Sequence, residues 1–175
     1  NNDVNLYQIF YDERWGADKQ SRKPLYRMLE RYPGTDVIWT ADGAIAEGLL
    51  LDADQHAFKV GKDVLIGGLA SATNDFLKSV ANGTITGFVG GNRGVGACGM
   101  VMLYDYFNGA DYSENDSNVI VYTMEHFTPE RTKFYLNHYA GGDYNSIDFR
   151  KLSKKLNPEL KKYNFGANIL LEPQK

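Results

Sequence analysis

Short apolar runs alternate with amphipathic segments over the first two thirds of the chain. The apolar runs predict strands at 4–10, 37–40, 62–69 and 85–89. Apolar residues at helical spacing follow each run and predict helices at 25–32, 44–56, 75–81 and 94–107. Because strands that alternate with helices form mostly parallel sheets, the pattern predicts an α/β fold. We expect a three-layer parallel sheet with helices on both faces.

The last third of the chain lacks this rhythm. One further strand is predicted at 119–124, and Thr128 followed by Pro129 marks the start of a helix. A short helix near 146–155 and an apolar end at 167–171 complete the chain. We therefore divide the chain into an α/β lobe, residues 1–118, and a mostly helical C-terminal extension, residues 119–175, which packs on something outside the repeating lobe.

Composition narrows the class of protein. The chain has 175 residues, enough for one sizeable core, and no apolar run near the ~20 residues that span a bilayer. The net charge of -3 and the scattered basic residues argue against nucleic acid as a partner. The 12 Tyr, 9 Phe and 2 Trp residues suit a site that stacks on ring-shaped ligands. The abrupt polar start at Asn1, with no visible signal peptide, suggests a mature fragment.

The sequence contains no clear constellation of catalytic residues. Cys98 is the only cysteine, and its small neighbours favour a packing role in a helix. The three histidines lack the spacing of metal ligands, so no metal or cofactor is expected. Asp52 and Asp54 are interpreted as a solvated helix face rather than a carboxylate pair. These observations favour a binding protein over an enzyme.

Polar side chains follow each of the four predicted strands. The carboxyl ends of parallel strands share one edge of the sheet, where ligands bind in open α/β folds. Carboxylate and amide groups there can bond vicinal hydroxyls, and an indole ring can stack on a sugar. Asn and Asp are also ordinary turn residues, and Asp42 could simply start the second helix. The candidate ligand-binding residues at these tips are Arg14, Trp15, Asp42, Ser71, Asn92 and Arg93, with Asn74 beside Ser71.

Residues 94–99 match the dinucleotide-binding fingerprint GxGxxG, after a strand and before a helix. Glu125 ends the next strand, as such a fold requires. However, residues 90–94 separate the end of the strand from the second residue of the motif. In a dinucleotide-binding fold the glycine-rich turn follows its strand directly. Close packing between helix and sheet is the other interpretation of these small residues. A dinucleotide-dependent oxidoreductase therefore stays open as an alternative function.

Four stretches of the chain together resemble a known family. They begin at residues 29, 61, 75 and 99 and read LERYPGTDVIWTADGAIAEG, GKDVLIGGL, DFLKSVANGTITGFVGGN and GMVMLYDYFNGADY. In order and spacing they are similar to the C-terminal lobe of type I periplasmic binding proteins, the sugar-binding family that includes ribose-binding protein. The resemblance extends over residues 7–112. The stretch 128–158 is similar to a branch whose members often sit beside sensor kinases or cyclic-nucleotide signalling proteins.

The resemblance implies a non-enzymatic periplasmic protein with two lobes that close on a small polar ligand, such as a sugar. The amino-terminal lobe would be missing from this chain, and residues 119–175 would cross a hinge and pack on it. An ABC transporter or a sensor kinase would read the closed state. The family positions imply that Trp15 stacks on the ligand, that Asp42 bonds its hydroxyls, and that Gly91 or Asn92 is a polar hinge position.

The same resemblance leaves two points open. Ala70 or Ser71 stands where the family has an aspartate, with one extra residue in the loop, which puts a simple pentose or hexose in doubt. The effector-binding domain of a lactose-repressor-type transcription factor shares this lobe and is an alternative function. A helix-turn-helix segment in the full gene would distinguish it.

Overall fold

The computed structural model describes residues 24–56, 58–70, 73–113 and 119–172, and the fold is given for these residues. The strand predicted at 4–10 lies outside them. The helices are α1 (Pro24–Arg31), α2 (Gly43–Gln55), α3 (Asn74–Ala81), α4 (Val95–Phe107) and α5 (Pro129–His138). The strands are β1 (Val37–Thr40), β2 (Leu65–Ala70), β3 (Gly87–Gly90), β4 (Tyr122–Thr123), β5 (Glu125–Phe127) and β6 (Phe165–Gly166). Short 3₁₀ turns occupy Asn92–Gly94, Phe149–Leu152 and Ala167–Leu170.

The main sheet has the strand order β1-β2-β3-β5. β1, β2 and β3 are parallel, and β5 runs antiparallel beside β3. The pairs Thr40 with Gly68 and Ala70 with Gly90 place the carboxyl ends of the three parallel strands at one edge. The predicted α/β fold with a parallel sheet is therefore confirmed.

The helices α2 and α3 cover one face of this sheet, and the helix layer expected on its other face stays a prediction. Phe88 of β3 lies edge-on to Phe76 of α3, with ring centroids 5.0 Å apart, and stacks on Phe127 of β5 at 4.6 Å. α2 contacts β1, β2 and α3, and α5 packs on α3. Side chains alternate between the faces of a strand, and the opposite face is exposed in the described part of the chain. Its apolar members are Val37, Trp39, Leu65, Leu69 and Val89.

The C-terminal segment contributes two elements to the preceding lobe. β5 joins the main sheet, and α5 packs on α3, so both belong to the core of the preceding residues. The strand predicted at 119–124 is shortened to β4, and β5 follows it as a separate strand, Glu125–Phe127. The helix predicted near 146–155 is a 3₁₀ turn, Phe149–Leu152. Contact of any other part of the segment with a further lobe stays a prediction.

A second region surrounds α4. α4 contacts β6 and the 3₁₀ turns at 92–94 and 149–152, and β6 pairs in parallel with β4. Asp105 of α4 is fully buried and accepts hydrogen bonds from the backbone N–H groups of Lys154 and Lys155. We call α4, β4, β6 and the turn Phe149–Leu152, with the residues that bond Asp105, the α4 region. None of the described helices combines the length and the apolar character needed to cross a membrane.

Candidate functional site

The tip of β1 carries Asp42. Asp42 is exposed and is the N-cap of α2, where its Oδ1 accepts the backbone N–H of Ala44 at 2.7 Å. Its extended backbone, with φ of -149°, and its short carboxylate are the features that N-caps favour. Because this bond uses one carboxylate oxygen, the second oxygen can accept a hydroxyl from a ligand.

The tip of β2 leads into α3 through Thr73. Thr73 is the N-cap of α3 and accepts the backbone N–H of Phe76 at 3.2 Å, while its hydroxyl donates to the carboxylate of Glu47. Asn74 donates from its side-chain amide to the carbonyl of Ala140 at 3.2 Å, across to the residues after α5. Ser71, the predicted ligand residue of this tip, lies outside the described residues.

The tip of β3 turns sharply at Gly91, whose φ of 100° lies in the left-handed region that glycine favours. The hydroxyl of Tyr122 donates to the carbonyl of Gly91 at 2.8 Å, and burial raises the pKa of that hydroxyl. The next two residues, Asn92 and Arg93, form the 3₁₀ turn and are exposed. The α4 region therefore holds the β3 tip through Tyr122.

Two tyrosines stand beside Arg93. Arg93 Nη1 donates to the hydroxyl of Tyr135 at 3.4 Å, and the hydroxyls of Tyr135 and Tyr144 lie 3.5 Å apart. Burial is the main cause that raises the pKa of Tyr144 to about 12, so its hydroxyl stays protonated and can act as a hydrogen-bond donor at neutral pH. The guanidinium of Arg93 and the hydroxyl of Tyr144 can therefore both donate to a polar ligand.

Arg93 and Tyr135 border a small concavity at the carboxyl end of β3. Polar groups of Asn92, Arg93 and Tyr135 line one part of its wall, and apolar side chains line the rest. Its volume of about 20 Å³ has room for about one water molecule, so it could receive a single polar group of a ligand that extends beyond it. The apolar lining residues are Leu77, Phe88, Phe127 and Leu170, and Gly91 completes the wall.

The structure places the predicted site residues in two groups. Asp42, Gly91, Asn92 and Arg93 lie at the carboxyl ends of parallel strands of one sheet, as the strand pattern predicts. Arg14, Trp15 and Ser71 lie outside the described residues, so their roles stay predictions. Among the described residues, no group of His, Cys, Asp and Glu side chains has the arrangement of a metal site.

The first glycine of the fingerprint at 94–99 has a packing role in the described residues. A Cβ on Gly94 would lie 2.4 Å from the hydroxyl of Tyr122, so this glycine is needed for packing against the α4 region. Gly96 and Gly99 face open space, with no atom within 4 Å of an added Cβ. Cys98 is buried, as expected, and burial raises its thiol pKa to about 11.

Sequence reasoning missed several residues of the edge. Tyr135 and Tyr144 reach Arg93 from α5 and from the loop after it, and no local pattern marks either residue. The pairing of Glu47 with Thr73 was also missed. The one available signal was Thr73-Asn74-Asp75, a sequence with the preferred residue types of a helix N-terminus.

The fold is similar to that of solved binding proteins. A periplasmic sugar-binding protein from Pseudomonas fluorescens matches 88% of this chain, with 27% identity and a TM-score of 0.71. The periplasmic binding protein component of the arabinose ABC transporter from Shewanella sp. ANA-3, bound to α- and β-L-arabinofuranose, matches 65% of the chain, with 20% identity and a TM-score of 0.50. A protein from Mycobacterium smegmatis matches 65%, with 21% identity and a TM-score of 0.51.

The match covers only part of each solved chain. The chain spans 45% of the Pseudomonas protein, 37% of the Shewanella protein and 36% of the Mycobacterium protein. The sequence matches no protein-family model and no curated protein.

Proposed function

We propose, from the premise that the chain has the α/β fold of periplasmic binding proteins, that it binds a small sugar or sugar-like molecule without converting it. The observation that carries the proposal is the placement of Asp42, Asn92 and Arg93 at the carboxyl edge of three parallel strands. Open α/β sheets bind ligands at this edge. The Pseudomonas and Shewanella proteins described above, which are named for sugar binding or bound to a sugar, add support.

The chemistry of the edge suits a polyhydroxy ligand. The carboxylate of Asp42 accepts hydroxyl hydrogens, whereas Arg93 and the neutral phenol of Tyr144 donate to oxygen atoms. Asn92 offers both a donor and an acceptor through its amide. A sugar presents both kinds of group on one ring, so mixed donors and acceptors favour it over a simple anion or cation.

We propose that binding works by closure of two lobes, of which this chain supplies one. Only the closed state lets both lobes contact the ligand, so the ligand shifts the population toward closure. A single lobe supplies part of the hydrogen bonds, each of which contributes ~0.5 to 1.5 kcal/mol, and it does not exclude water from the site. We therefore expect residues 1–175 alone to bind far more weakly than a two-lobed protein.

A binding screen with a matched pair of variants tests the proposal. We would titrate the complete gene product with pentoses and hexoses, including L-arabinose, by calorimetry and thermal shift, since a ligand that binds the native state raises Tm. Asp42→Ser keeps an N-cap residue but shortens the reach of the oxygen. We expect it to weaken binding by about 10-fold or more, because a ligand hydroxyl loses its partner in a site that excludes water.

Asp36→Ser is the matched control. Asp36 is an exposed aspartate that directly precedes β1, so it lies at the opposite, amino end of the same strand. We expect its variant to bind like the unchanged protein. Equal affinities of the Asp42 and Asp36 variants would mean that Asp42 acts only as a helix cap. If no sugar in the panel binds, the proposed ligand class is wrong.

We propose delivery to an ABC transporter, with location in the periplasm, as the physiological role. The similarity to the binding component of the Shewanella arabinose transporter supports transport. Deletion of the gene should then abolish uptake of the identified sugar. Unchanged uptake, with loss of a transcriptional response to the sugar, would instead favour a sensor kinase as the partner.

A further inference from the structure

Basic charge is concentrated in one loop of the C-terminal segment, residues 148–163, which we call the basic loop. It contains six basic and two acidic residues and so carries a net charge of +4, whereas the whole chain carries -3. The rest of the chain therefore carries -7. A concentration of one sign creates a local potential that attracts partners of the opposite sign. The basic residues of the loop are Arg150, Lys151, Lys154, Lys155, Lys161 and Lys162.

The basic loop folds around the buried carboxylate of Asp105. The backbone N–H of Lys154 and the hydroxyl of Tyr163 each donate to this carboxylate at 2.8 Å. Lys154 Nζ lies 4.4 Å from the centre of the Tyr163 ring. The side-chain amide of Asn157 donates to the carbonyl of Lys151 at 3.0 Å. Because these contacts join the middle of the loop to both of its ends, its lysines share a small area of the surface.

The charge that the loop presents to solvent comes mainly from lysine. The one arginine, Arg150, bonds both oxygens of Asp148, from Nε at 2.7 Å and from Nη2 at 3.1 Å. Glu159 is the exposed acidic residue within the loop, and Asp105 is fully buried behind it. Four lysines of the loop are exposed, namely Lys151, Lys155, Lys161 and Lys162.

An exposed apolar side chain stands among these charges. Leu156 follows Lys155 directly and is 48% exposed. Its backbone N–H donates to the hydroxyl of Ser153 at 3.1 Å, so its position in the loop is fixed. Lysines beside an exposed leucine are typical of segments that lie on a membrane surface, where the leucine enters the headgroup layer and the ammonium groups attract anionic lipids.

The prevalence of lysine distinguishes between anionic partners. Protein interfaces are enriched in arginine and depleted in lysine, because a planar guanidinium binds a carboxylate through two parallel hydrogen bonds. A lysine ammonium is a flexible point charge that does not require a partner of fixed geometry. Headgroups in a fluid bilayer have no fixed geometry either. The basic loop therefore fits a lipid surface better than an acidic protein.

We infer that the basic loop is a docking surface for a membrane rich in anionic phospholipids, with Leu156 entering the headgroup layer. This role goes beyond sugar binding and does not depend on it. The attraction extends over about 10 Å at 0.1 M salt and about 3 Å at 1 M salt, so the contact is reversible and sensitive to salt. A protein held in this way stays close to partners embedded in the same membrane.

Vesicle sedimentation tests the inference on the complete gene product. One set of vesicles contains equal parts of phosphatidylglycerol and phosphatidylcholine, and the other contains phosphatidylcholine alone. We expect binding to the anionic vesicles at about 0.1 M salt and its loss at about 1 M salt, because salt screens the attraction. Binding to neither set, or equal binding to both, would overturn the inference.

Two triple variants with the same change in net charge locate the contact. The test variant replaces three exposed lysines of the basic loop: Lys155→Gln, Lys161→Gln and Lys162→Gln. The control replaces three exposed lysines of the preceding lobe: Lys59→Gln, Lys62→Gln and Lys78→Gln. Each lysine near an anionic surface contributes about 5-fold to binding, so we expect the test variant to bind roughly 100-fold more weakly and the control to bind like the unchanged protein. Both should keep the original Tm, because surface changes rarely affect stability.

A single variant tests the apolar part of the contact. Leu156→Gln keeps the charge of the loop but removes its exposed apolar side chain. We expect binding to the anionic vesicles to fall by about 3-fold or more, because less apolar surface leaves water. An unchanged affinity would overturn the role of Leu156 in the contact.

The remaining outcomes decide between a membrane and other anionic partners. Equal loss of binding in the two triple variants would mean that only net charge matters, and it would overturn the inference. Release from vesicles by inorganic phosphate, but not by sodium chloride of the same ionic strength, would assign the loop to a phosphate site instead. Tighter binding to poly-L-glutamate than to the anionic vesicles would overturn the inference in favour of an acidic protein.

Discussion

The main sheet and the α4 region are stabilised in different ways. Aromatic rings fill the centre of the sheet core, where Phe88 contacts Phe76 and Phe127, and Phe127 lies edge-on to Tyr135 at 6.0 Å. A buried carboxylate organises the α4 region. Asp105 accepts from Tyr163 at 2.8 Å, from the backbone N–H of Lys154 at 2.8 Å, and from the hydroxyl of Ser153.

The difference indicates how each region is completed. Apolar packing is non-directional and forms wherever enough surface meets, so the sheet core is complete on the face that its helices cover. A carboxylate with its donors fixes one arrangement, because each buried donor needs its own partner. In the α4 region, Asp105 and its hydrogen-bond donors therefore hold the inner face of α4. The apolar side chains of the helix lie on its outer, exposed face.

Removal of the central aromatic ring of the sheet core should lower the stability of the protein most. Phe88→Ala leaves a cavity between Phe76 and Phe127, and we expect the free energy of unfolding to fall by about 3 to 5 kcal/mol. Urea unfolding followed by circular dichroism measures it. Phe107→Ala is the control, since Phe107 is 79% exposed in the described structure. A loss below that of the control would mean that the aromatic core is not the main source of stability.

Asp105→Ala should have the next largest effect. The change removes the acceptor that Ser153, Lys154, Lys155 and Tyr163 share, and we expect the free energy of unfolding to fall by roughly 2 to 4 kcal/mol in the same measurement. The exposed Asp54 of α2 is the matched control, and Asp54→Ala should leave stability unchanged. Equal stability of the two variants would mean that the hydrogen bonds to Asp105 do not stabilise the α4 region.

The two regions also differ in how much of them sequence reasoning predicts. β1 to β3 and α2 to α4 follow from local spacing and helix signals, which are present within each segment. The edge that joins Asp42 to Asn92 follows from the rule that parallel strands align their carboxyl ends. The antiparallel addition of β5 to β3 does not, because a strand of three residues carries little pattern and its partner lies far along the chain.

Buried polar groups escaped sequence reasoning for a related reason. Asp52 and Asp54 look alike in the sequence, but Asp52 is fully buried and accepts the backbone N–H of Tyr26 of α1 at 2.9 Å. His56 Nε2 lies 3.5 Å from the other oxygen of Asp52. The interpretation of Asp52 as a solvated residue is wrong, because its partner comes from another helix. Asp105 was missed in the same way.

Gly91→Ala should lower the free energy of unfolding less than either change above. It tests the contact between the tip of β3 and the residues that pack on it. The left-handed backbone penalises a side chain, and the new Cβ would lie 2.2 Å from the Cβ of Ala167. We expect a loss of about 2 to 3 kcal/mol in urea unfolding, of which the backbone conformation alone accounts for about 1 to 2. Gly109→Ala isolates the backbone part, because Gly109 has φ of 76° and open space around it. Equal losses of stability in the two variants would mean that Ala167 moves aside without an energetic penalty.

The smallest expected effect is the dependence of stability on pH that Asp105 of the α4 region contributes. Burial opposes ionisation of Asp105, but hydrogen bonds from Ser153, Tyr163, Lys154 and Lys155 outweigh it and lower its pKa. Because the folded pKa lies below the ordinary value of about 3.9, ionised Asp105 stabilises the fold above that pH. The contribution is lost as pH falls from about 4 through the lowered pKa. We therefore expect the stability difference between the unchanged protein and Asp105→Asn, measured by urea unfolding, to narrow below about pH 4.

Amide hydrogen exchange provides a second measurement of the same effect. The protection of the α4 amides should decrease over this pH range before that of the β2 and β3 amides. A constant difference between the two proteins from neutral pH to pH 2 would mean that the charge of Asp105 contributes nothing beyond its shape.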